Sequence, residues 1–247
     1  IAADAREYAV SICKVGKTYT EVADKTEEFI VKQGGFPAFP MDVSVNQVAA
    51  HYCPFIDDDS VLEKGDVVKL DIGVHVNGAV ADNAITVELG TNKFREMILA
   101  SKDACLAACE IAEVGTEIGK LGKVIEETIT SAGFNPIANL SGHGVDLWKV
   151  HTDPTIPNYD NGNPKKLVEG QHIAIEPFAT DGVGSVKEGK PCGVYAFLEK
   201  KPVRLDGARK LMAKIEREYK TLPFTERWLK DVKNAKFLLN LLEKAGV

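Results

Sequence analysis

The feature that most restricts how this chain can fold is an Asn77-Gly78 pair in the middle of a β-prone segment, residues 61–89. Asn-Gly between two such runs is the strongest short-range signal for a β-hairpin, because both turn residues tolerate a positive φ. Two acidic residues, Asp71 and Asp82, lie on either side of this turn. The segment therefore predicts a hairpin that carries one carboxylate on each strand.

The register of this hairpin brings the two carboxylates together. Counting outward from the turn pairs Val76 with Ala79 and places Asp82 opposite Gly73. Side chains alternate between the faces of a strand, so Asp71 shares a face with Gly73. Asp82 is then a diagonal neighbour of Asp71 at roughly 7–8 Å, and the glycine leaves room between them. Like charges at this spacing repel unless a cation lies between them, and two metal ions roughly 3.5–4 Å apart would fit.

The composition indicates a globular chain without special partners. Its 247 residues, 45% of them hydrophobic, suit one large domain or a domain with a small appendage. A net charge of −6 gives no electrostatic footprint for nucleic acid, and no apolar stretch approaches the roughly 20 residues of a membrane span. Five cysteines without a Cys-x-x-Cys motif are typical of a reducing compartment. We therefore expect a cytoplasmic protein with no nucleic-acid or membrane partner.

Helical and β-prone segments alternate along the first 180 residues, which indicates a mixed α+β fold. Thr20 and Thr116 are the expected N-caps of two of the helices, and Gly34 and Gly133 are the expected stops. The predicted helices of this region are 2–15, 20–33, 93–113 and 116–132.

The second pair of helices resembles the first, and so do the strands that follow. Residues 15–37 correspond to residues 114–136, and at an offset of 105 residues Asp71 corresponds to Glu176. This pattern favours two similar α/β halves around a pseudo-twofold axis over a chance likeness between amphipathic segments. Acidic residues at equivalent strand positions would converge on one central site. The duplication therefore predicts Glu176 as a third candidate ligand.

The five histidines lie in different contexts. Glycines flank His143, which would let a metal or ligand approach closely, and His151 follows at an even spacing that puts both on one face of an extended segment. His51 follows two alanines, as at a pocket. A lone histidine is more often structural than a ligand. The flanking glycines favour a role as a ligand for His143. The residues alone do not decide whether His51 and His151 are functional or structural. His75 and His172 are expected in packing or at the surface.

Two aspartates, a glutamate and a histidine form an oxygen-rich donor set with one imidazole. Such a set favours Mn²⁺, Fe²⁺, Co²⁺ or Zn²⁺ over Ca²⁺. Two such ions lower the pKa of a bridging water and stabilise a tetrahedral oxyanion, so the reaction class is hydrolysis of an amide. An uncoordinated histidine nearby could steady the carbonyl oxygen or the leaving amine. Motifs for serine hydrolases, phosphate-binding loops and His-Glu-x-x-His metalloproteases are absent from the sequence.

The character of the sequence changes after Pro202. The following residues are charged, lysine-rich and helical in pattern, and they contain few β-branched residues. We therefore expect a main domain over 1–203 and a separate helical unit over 204–247. The helices predicted in this unit are 206–221, 224–233 and 236–245.

Several short motifs together resemble one known family over essentially the whole chain. They are Phe39-Pro40, Ala49-Ala50-His51-Tyr52, the hairpin Asp71 to Asp82, Ser141-Gly142-His143, Ile175-Glu176-Pro177-Phe178, and the run Leu211 to Phe224. These residues resemble type 2 methionine aminopeptidases of the archaeal kind, which have the pita-bread fold with duplicated α/β halves. The run Leu211 to Phe224 resembles the helical insertion of the type 2 enzymes.

The resemblance implies a site with two divalent metal ions, Mn, Co, Fe or Zn. By position, Asp71 would chelate one ion and Asp82 would bridge both. His143 and Glu176 would hold the second ion. A metal-activated bridging water would then be the nucleophile that removes the N-terminal methionine from nascent polypeptides.

The resemblance also implies which residues contact the substrate. His51 and His151 correspond to uncoordinated active-site histidines. Phe39, Val150 and Phe178 fall where the family lines the pocket for the methionine side chain. A monomer that works close to the ribosome is the implied setting, because the substrate is the start of a nascent chain.

The chain departs from the family pattern at its end. The family uses a fifth ligand, a bridging glutamate after the helical insertion, and no matching segment follows residue 204. We therefore expect a fragment of a longer enzyme whose insertion is incomplete and whose final strands are missing. A degenerate relative is the other explanation, although the four earlier ligands are intact.

Two other functions on the same fold compete with this interpretation. One is a metal-free protein-binding module of the pita-bread type, and the intact Asp71, Asp82, His143 and Glu176 count against it. The other is an Xaa-Pro peptidase, which usually carries an extra N-terminal domain, whereas this chain begins at the first core helix.

Overall fold

One arrangement of helices and strands occurs twice along the first 189 residues. The structure, a computed structural model, describes residues 1–189 and 192–247. The first half contains α1 (Ala2–Ile12), α2 (Tyr19–Lys32), β1 (Phe36–Pro37), β2 (Asp42–Val45), β3 (Val67–Val76) and β4 (Ala79–Glu88). The second half contains α3 (Arg95–Ile111), α4 (Ile118–Ser131), β5 (Asn135–Pro136), β6 (Ser141–Asp146), β7 (Lys149–Pro157), β8 (His172–Ala174) and β9 (Ala179–Thr180). The repeated order agrees with the predicted α+β class.

The first half is a sheet with two helices against it. Strand β3 is central: β2 and β1 pair antiparallel with it along one edge, and β4 pairs along its whole length on the other. Helix α2 faces the sheet because its apolar residues recur at helical spacing, and Val22, Ala23 and Ile30 are buried. They join the buried strand residues Val43 and Leu70 in one core cluster. This core holds β3 and β4 in a fixed position.

The second half repeats this design with β6 at the centre of its sheet. Strands β7 and β8 pair antiparallel with opposite edges of β6, and the β6–β8 pair corresponds to the β2–β3 pair, with β8 at the offset of 105 residues from β3. Helices α3 and α4 pack together because Ala104 and Ala108 present small side chains to Ile125 and Ile129. The duplicated core therefore positions β6 and β8 as the counterparts of β2 and β3.

The boundaries of the repeated helices are equivalent, although their caps differ from the expected ones. Helices α2 and α4 each have 14 residues, and a glycine with a φ of +85° follows each. Thr18, not Thr20, caps α2 through a 3.0 Å bond from the Glu21 backbone N–H. Glu117, not Thr116, is at the N-cap position of α4 and its side chain makes no cap bond, while the Thr116 hydroxyl donates to the Ile111 carbonyl at 2.8 Å.

The C-terminal residues form a unit with a core of its own. It contains β10 (Val194–Tyr195), α5 (Asp206–Glu218), β11 (Phe224–Thr225), a 3₁₀-helix (Glu226–Leu229) and α6 (Ala235–Ala245). The prediction of a helix over 224–233 is wrong. Phe224 and Thr225 pair with β10, and only one 3₁₀-helical turn follows before α6. Phe224, Leu211 and Leu239 belong to the buried cluster of this unit.

The helices of the described residues are short or polar. Within residues 1–189 and 192–247 no helix has both the length and the apolar character needed to cross a membrane.

Candidate metal and substrate site

The β3–β4 hairpin has the predicted turn and register. Asn77 and Gly78 have φ values of 51° and 89°, which is the left-handed region that a two-residue hairpin turn requires. Val76 pairs with Ala79, and Asp82 lies opposite Gly73. The sequence interpretation of this hairpin is therefore confirmed at the level of the backbone.

The expectation of open space beside Gly73 is wrong, because the ring of Phe39 fills that space. A Cβ atom added at Gly73 would lie 2.2 Å from a ring carbon of Phe39. The aromatic ring packs against the bare backbone, so the glycine is required by this packing. Phe39 itself is half-buried and belongs to a small cluster with Ala38, Val150 and Leu222.

The glycines beside His143 also serve backbone packing. A Cβ at Gly142 would lie 2.1 Å from the Ala174 carbonyl oxygen, and one at Gly144 would lie 2.1 Å from the Asp153 carbonyl oxygen. These glycines let β6 fit between β7 and β8. We expected these glycines to let a metal approach, whereas in the structure they let neighbouring strands come close together. His143, which lies between these glycines, pairs with Ala174 on β8.

Three predicted ligands from both halves meet at one point. The Nε2 atom of His143 lies 2.8 Å from Oε1 of Glu176 and 3.5 Å from Oδ2 of Asp82. One donor atom from each of the three residues lies within 4.8 Å of the others. The three side chains are mostly buried, with 11%, 12% and 28% exposure for Asp82, His143 and Glu176. The hairpin and the second sheet thus supply one compact donor set.

Asp71 lies beside this set, opposite a further aspartate. Its Oδ1 atom is sealed from solvent and has no hydrogen-bond partner among the described residues. Asp42 on β2 is paired with Asp71 in the antiparallel register and is only 5% exposed. Asp42 was not among the residues predicted for the site. Its signal was the alternation of Met41-Asp42-Val43-Ser44-Val45, which is typical of a short strand.

The electrostatics of this cluster favour a cation. Burial first, and then the charge of Glu176, raise the pKa of Asp82 to about 7. Burial and the neighbouring charge of Asp82 raise the pKa of Asp42 to about 8, and the same causes hold the pKa of Asp71 well above its usual range. Burial alone would lower the pKa of His143, but the hydrogen bond and charge of the Glu176 carboxylate outweigh the effect of burial, so the pKa is raised. Like charges in a buried space are stabilised when an opposite charge lies among them.

The donor set fits a divalent metal ion. It combines carboxylate oxygens with one imidazole nitrogen, which is the ligand chemistry of the first-row transition metals. The sealed Oδ1 atom of Asp71 has no partner to satisfy it, and in the described residues no lysine or arginine forms an ion pair with Asp82 or Glu176. A metal would supply the missing positive charge. The predicted ligands that come together are therefore consistent with a metal centre.

A cavity of about 580 Å³ opens beside these ligands. His51, His151 and Phe178 line it together with His143 and Glu176. The rings of His143 and His151 are 4.2 Å apart and nearly perpendicular. They meet across the turn between β6 and β7, so the expected reason for their closeness, one continuous extended segment, is wrong. Both His51 and His151 are exposed to the cavity.

The three aromatic and aliphatic residues expected in a substrate pocket fall into two places. Phe178 lines the cavity itself. Phe39 and Val150 lie in the cluster with Leu222, and Val150 is only 5% exposed. His75 is packed between Phe36 and Trp148, as expected for a residue near the turn. His172 is exposed at the start of β8.

This arrangement can bind a small polar group next to an apolar surface. Glu176 and His143 of the donor set line the cavity together with the His51 and His151 imidazoles. An amide or amine that enters would meet hydrogen-bonding imidazoles beside the metal donors.

Comparisons with known proteins give a consistent result. Residues 1–218 match the model of metallopeptidase family M24. The chain is similar to a protein named methionine aminopeptidase from Pyrococcus horikoshii, with 47% identity over 100% of this chain and 84% of the relative. A crystal structure of the methionine aminopeptidase of Thermotoga maritima is also similar, with a TM-score of 0.71 and 30% identity over 76% of this chain and 79% of that chain. The structure of a thermophilic Arx1 shares the fold alone, with a TM-score of 0.82 at 15% identity over 99% and 78% of the two chains.

Proposed function

The chain belongs to metallopeptidase family M24, and on that premise we propose that it is a methionine aminopeptidase. It hydrolyses the peptide bond after an N-terminal methionine. The substrates are nascent polypeptides whose second residue is small. The pita-bread fold of the family is the architecture described above.

The observation that carries this proposal is the convergence of Asp82, His143 and Glu176. The three side chains come from a hairpin of the first half, from β6 and from the segment between β8 and β9, yet their donor atoms lie within 4.8 Å of one another. Relatives named methionine aminopeptidase are 43–47% identical over the full chain, which supports the same activity here. The conclusion rests on both findings together.

Two divalent ions are the proposed cofactors. Asp71 and Asp82 would hold one ion, and Asp82, His143 and Glu176 would hold the other. Mn²⁺, Co²⁺, Fe²⁺ and Zn²⁺ all suit this donor set. When bound, the ions supply a water of lowered pKa and charge stabilisation for the tetrahedral oxyanion. The orphaned Oδ1 atom of Asp71 supports a role for this residue as a ligand.

The chain's own residues bind and orient the substrate. We assign His51 and His151 to the scissile amide, because both imidazoles line the cavity and both are exposed to it. One ring can donate a hydrogen bond to the carbonyl oxygen while another carries a proton to the leaving amine. Phe178, Phe39 and Val150 are the proposed contacts of the methionine side chain. Phe178 would contact it from the cavity wall, and Phe39 and Val150 would support the pocket from the adjoining cluster.

The setting of this activity is part of the proposal. We place the protein in the cytoplasm, near the ribosome, because its substrate is the newly made N-terminus. A monomer suffices, because all the proposed ligands come from one chain. The division into 1–203 and 204–247 is also proposed. The separate buried cluster around Leu211 and Leu239 supports a distinct C-terminal unit, to which the structure adds β10 through its pairing with β11.

A peptide-release assay tests the proposed activity. The full-length protein, stripped with chelator and reloaded with Mn²⁺ or Co²⁺, is incubated with Met-Ala-Ser and with an Xaa-Pro peptide of equal length. We expect release of free methionine from Met-Ala-Ser and no cleavage of the Xaa-Pro bond. Cleavage of the Xaa-Pro peptide alone would identify the second type of M24 peptidase. Absence of both activities and of bound metal would favour the protein-binding module instead.

A further inference from the structure

Arg227 is a fully buried arginine that the proposed reaction does not use. It lies in the 3₁₀-helix of the C-terminal unit, and only 1% of its surface is exposed. Its guanidinium extends into the first half of the chain. Nη1 and Nη2 pair with the two carboxylate oxygens of Glu27 at 3.1 and 2.8 Å, and Nη1 also pairs with Asp24. Both acidic residues belong to α2, so the arginine connects two parts of the molecule that are 200 residues apart in sequence.

The same guanidinium holds the segment that carries His51. Its Nε atom donates to the Pro54 carbonyl oxygen at 3.0 Å, and Nη2 lies 3.8 Å from the Sγ atom of Cys53. Cys53 is completely buried. His51 itself has a φ of 63°, a left-handed conformation that a non-glycine residue keeps only when its surroundings impose it.

The other side of this segment is attached to β2. The Val43 N–H donates to the Tyr52 carbonyl at 2.8 Å, and the Tyr52 N–H donates to the Ser44 hydroxyl at 3.2 Å. Arg227 contacts the residues that follow immediately. His51 therefore lies directly before a stretch that is fixed from two sides.

Glu27 extends this connection to the start of β2. Its Oε1 atom accepts a hydrogen bond from the Met41 N–H at 3.0 Å. The next residue, Asp42, is the one that faces Asp71 across β2 and β3. The ion pair between Arg227 and Glu27 therefore touches the two backbone segments that lead to His51 and to the carboxylate cluster.

Only an arginine has the geometry for this set of contacts. Its planar guanidinium offers five N–H donors in fixed directions, so it can pair with a carboxylate through two bonds and still donate to a carbonyl. A lysine presents one ammonium group that cannot reach all three positions at once.

We propose that Arg227 is a positioning residue that holds the Cys53–Pro54 stretch, and through it the strained backbone of His51, so that the His51 imidazole faces the substrate cavity. This inference rests on the proposed function, because it assigns to the C-terminal unit a part in that reaction. The unit acts through a hydrogen-bond network and touches neither the substrate nor a metal at Arg227.

A double-mutant cycle in the full-length, Mn²⁺-loaded protein tests the kinetic consequence. We expect Arg227→Lys to lower kcat for Met-Ala-Ser about tenfold, which corresponds to about 1.4 kcal/mol of transition-state stabilisation. In a His51→Ala background the same change should alter kcat less than about twofold, because the residue that it positions is gone. Equal factors in both backgrounds would overturn the proposal, since they would indicate only a general structural role.

A milder variant covers the case in which Arg227→Lys does not fold. Glu27→Gln keeps the hydrogen-bond acceptor for Met41 and leaves the arginine in place, but it removes one charge of the pair. We expect Glu27→Gln to lower kcat about threefold in the otherwise wild-type protein and to leave it nearly unchanged in the His51→Ala background. Arg209→Lys is the matched control, because Arg209 is an exposed arginine of the same unit that pairs with Asp206. It should leave kcat unchanged.

A spectroscopic readout separates this proposal from the proposed function. Histidine ring signals are recorded by ¹H–¹³C NMR, and the His51 signal is assigned by its loss in His51→Ala. In Arg227→Lys the His51 signal should shift or broaden, while the signal of His172, exposed on β8, stays in place. An inactive wild-type protein that shows this shift would refute the aminopeptidase and keep the positioning role. An active wild-type protein whose His51 signal is unchanged in Arg227→Lys would refute the positioning role alone.

Discussion

Asp82 is the residue on which both halves of the molecule converge. Its carboxylate lies 3.5 Å from His143 and its pKa is raised to about 7, by burial first and by the charge of Glu176 second. The charged form of such a carboxylate is costly without a partner, and a bound cation stabilises it. The residue therefore has the environment expected of a ligand and not of a surface acid.

Replacing Asp82 by asparagine tests this role. The change keeps the shape of the side chain and removes its charge, so metal affinity should fall strongly. We expect kcat/KM for Met-Ala-Ser to fall at least about a hundredfold. Mn²⁺ at about one hundred times its Kd should stabilise the wild-type protein by about 2.7 kcal/mol and raise its Tm, whereas the variant should show little rise.

The control for this substitution is an aspartate away from the site. Asp103 is exposed on α3, and Asp103→Asn should keep both the activity and the Mn²⁺-dependent rise in Tm. An Asp82→Asn protein that still releases methionine at the wild-type rate would contradict the assignment of this carboxylate to the metal.

At the scale of residues, periodicity predicted more than local context did. The alternation of a strand was sufficient to place Asp71 and Asp82 on one hairpin, and the duplication was sufficient to single out Glu176. Asp42 was missed because its own strand, β2, is only four residues long, so its alternation is a weak signal, and its pairing with β3 is not visible in the sequence. The ring of Phe39 against Gly73 could not be predicted either, since it comes from a residue outside the hairpin.

The β3–β4 hairpin carries two proposed ligands, and its turn also packs against the second half. Gly78 has a φ of 89°, and a Cβ there would lie 2.2 Å from the Nε1 atom of Trp148. The backbone N–H of Trp148 donates to the Gly78 carbonyl at 2.8 Å. The two hairpin turns, β3–β4 and β6–β7, thus fix each other and keep the two halves in register.

Substitution of this glycine should be unusually harmful. Gly78→Ala combines left-handed backbone strain of about 1–2 kcal/mol with overpacking of about 1–3 kcal/mol. Gly170→Ala is the matched control, because Gly170 has a φ of 81° but nothing within 4 Å of an added Cβ. Urea denaturation should show that the Gly78 variant loses about 1–3 kcal/mol more than the control. Equal losses would mean that the contact with Trp148 contributes nothing.

The order of most helices and strands could be predicted from the sequence, but several contacts between them could not. The hairpin and the four helices of the two halves have the predicted positions within a few residues. The segment 224–233 was misjudged because its charged pattern resembles a helix, while Thr225 is buried and paired with β10. The closeness of His143 and His151 depends on pairing across a turn, which their even spacing along the chain does not reveal.

The whole molecule brings three units to one place. The first half supplies Asp71 and Asp82, the second half supplies His143 and Glu176, and the C-terminal unit contributes the buried Arg227 beside the His51 segment. The chain spans 84% of the length of its Pyrococcus horikoshii relative. A duplicated fold whose halves each contribute proposed ligands explains why the candidate site lies between them.

The positions of bound metal ions are the most direct test of the proposed metal centre. Crystals of the full-length protein grown with Mn²⁺ would give an anomalous difference map at the manganese edge. We expect two peaks, one within about 2.3 Å of donor atoms of Asp82, His143 and Glu176, and one beside Asp71 that also contacts Asp82. An empty site in fully loaded crystals, or peaks only on other carboxylates such as those of residues 57–59, would contradict it.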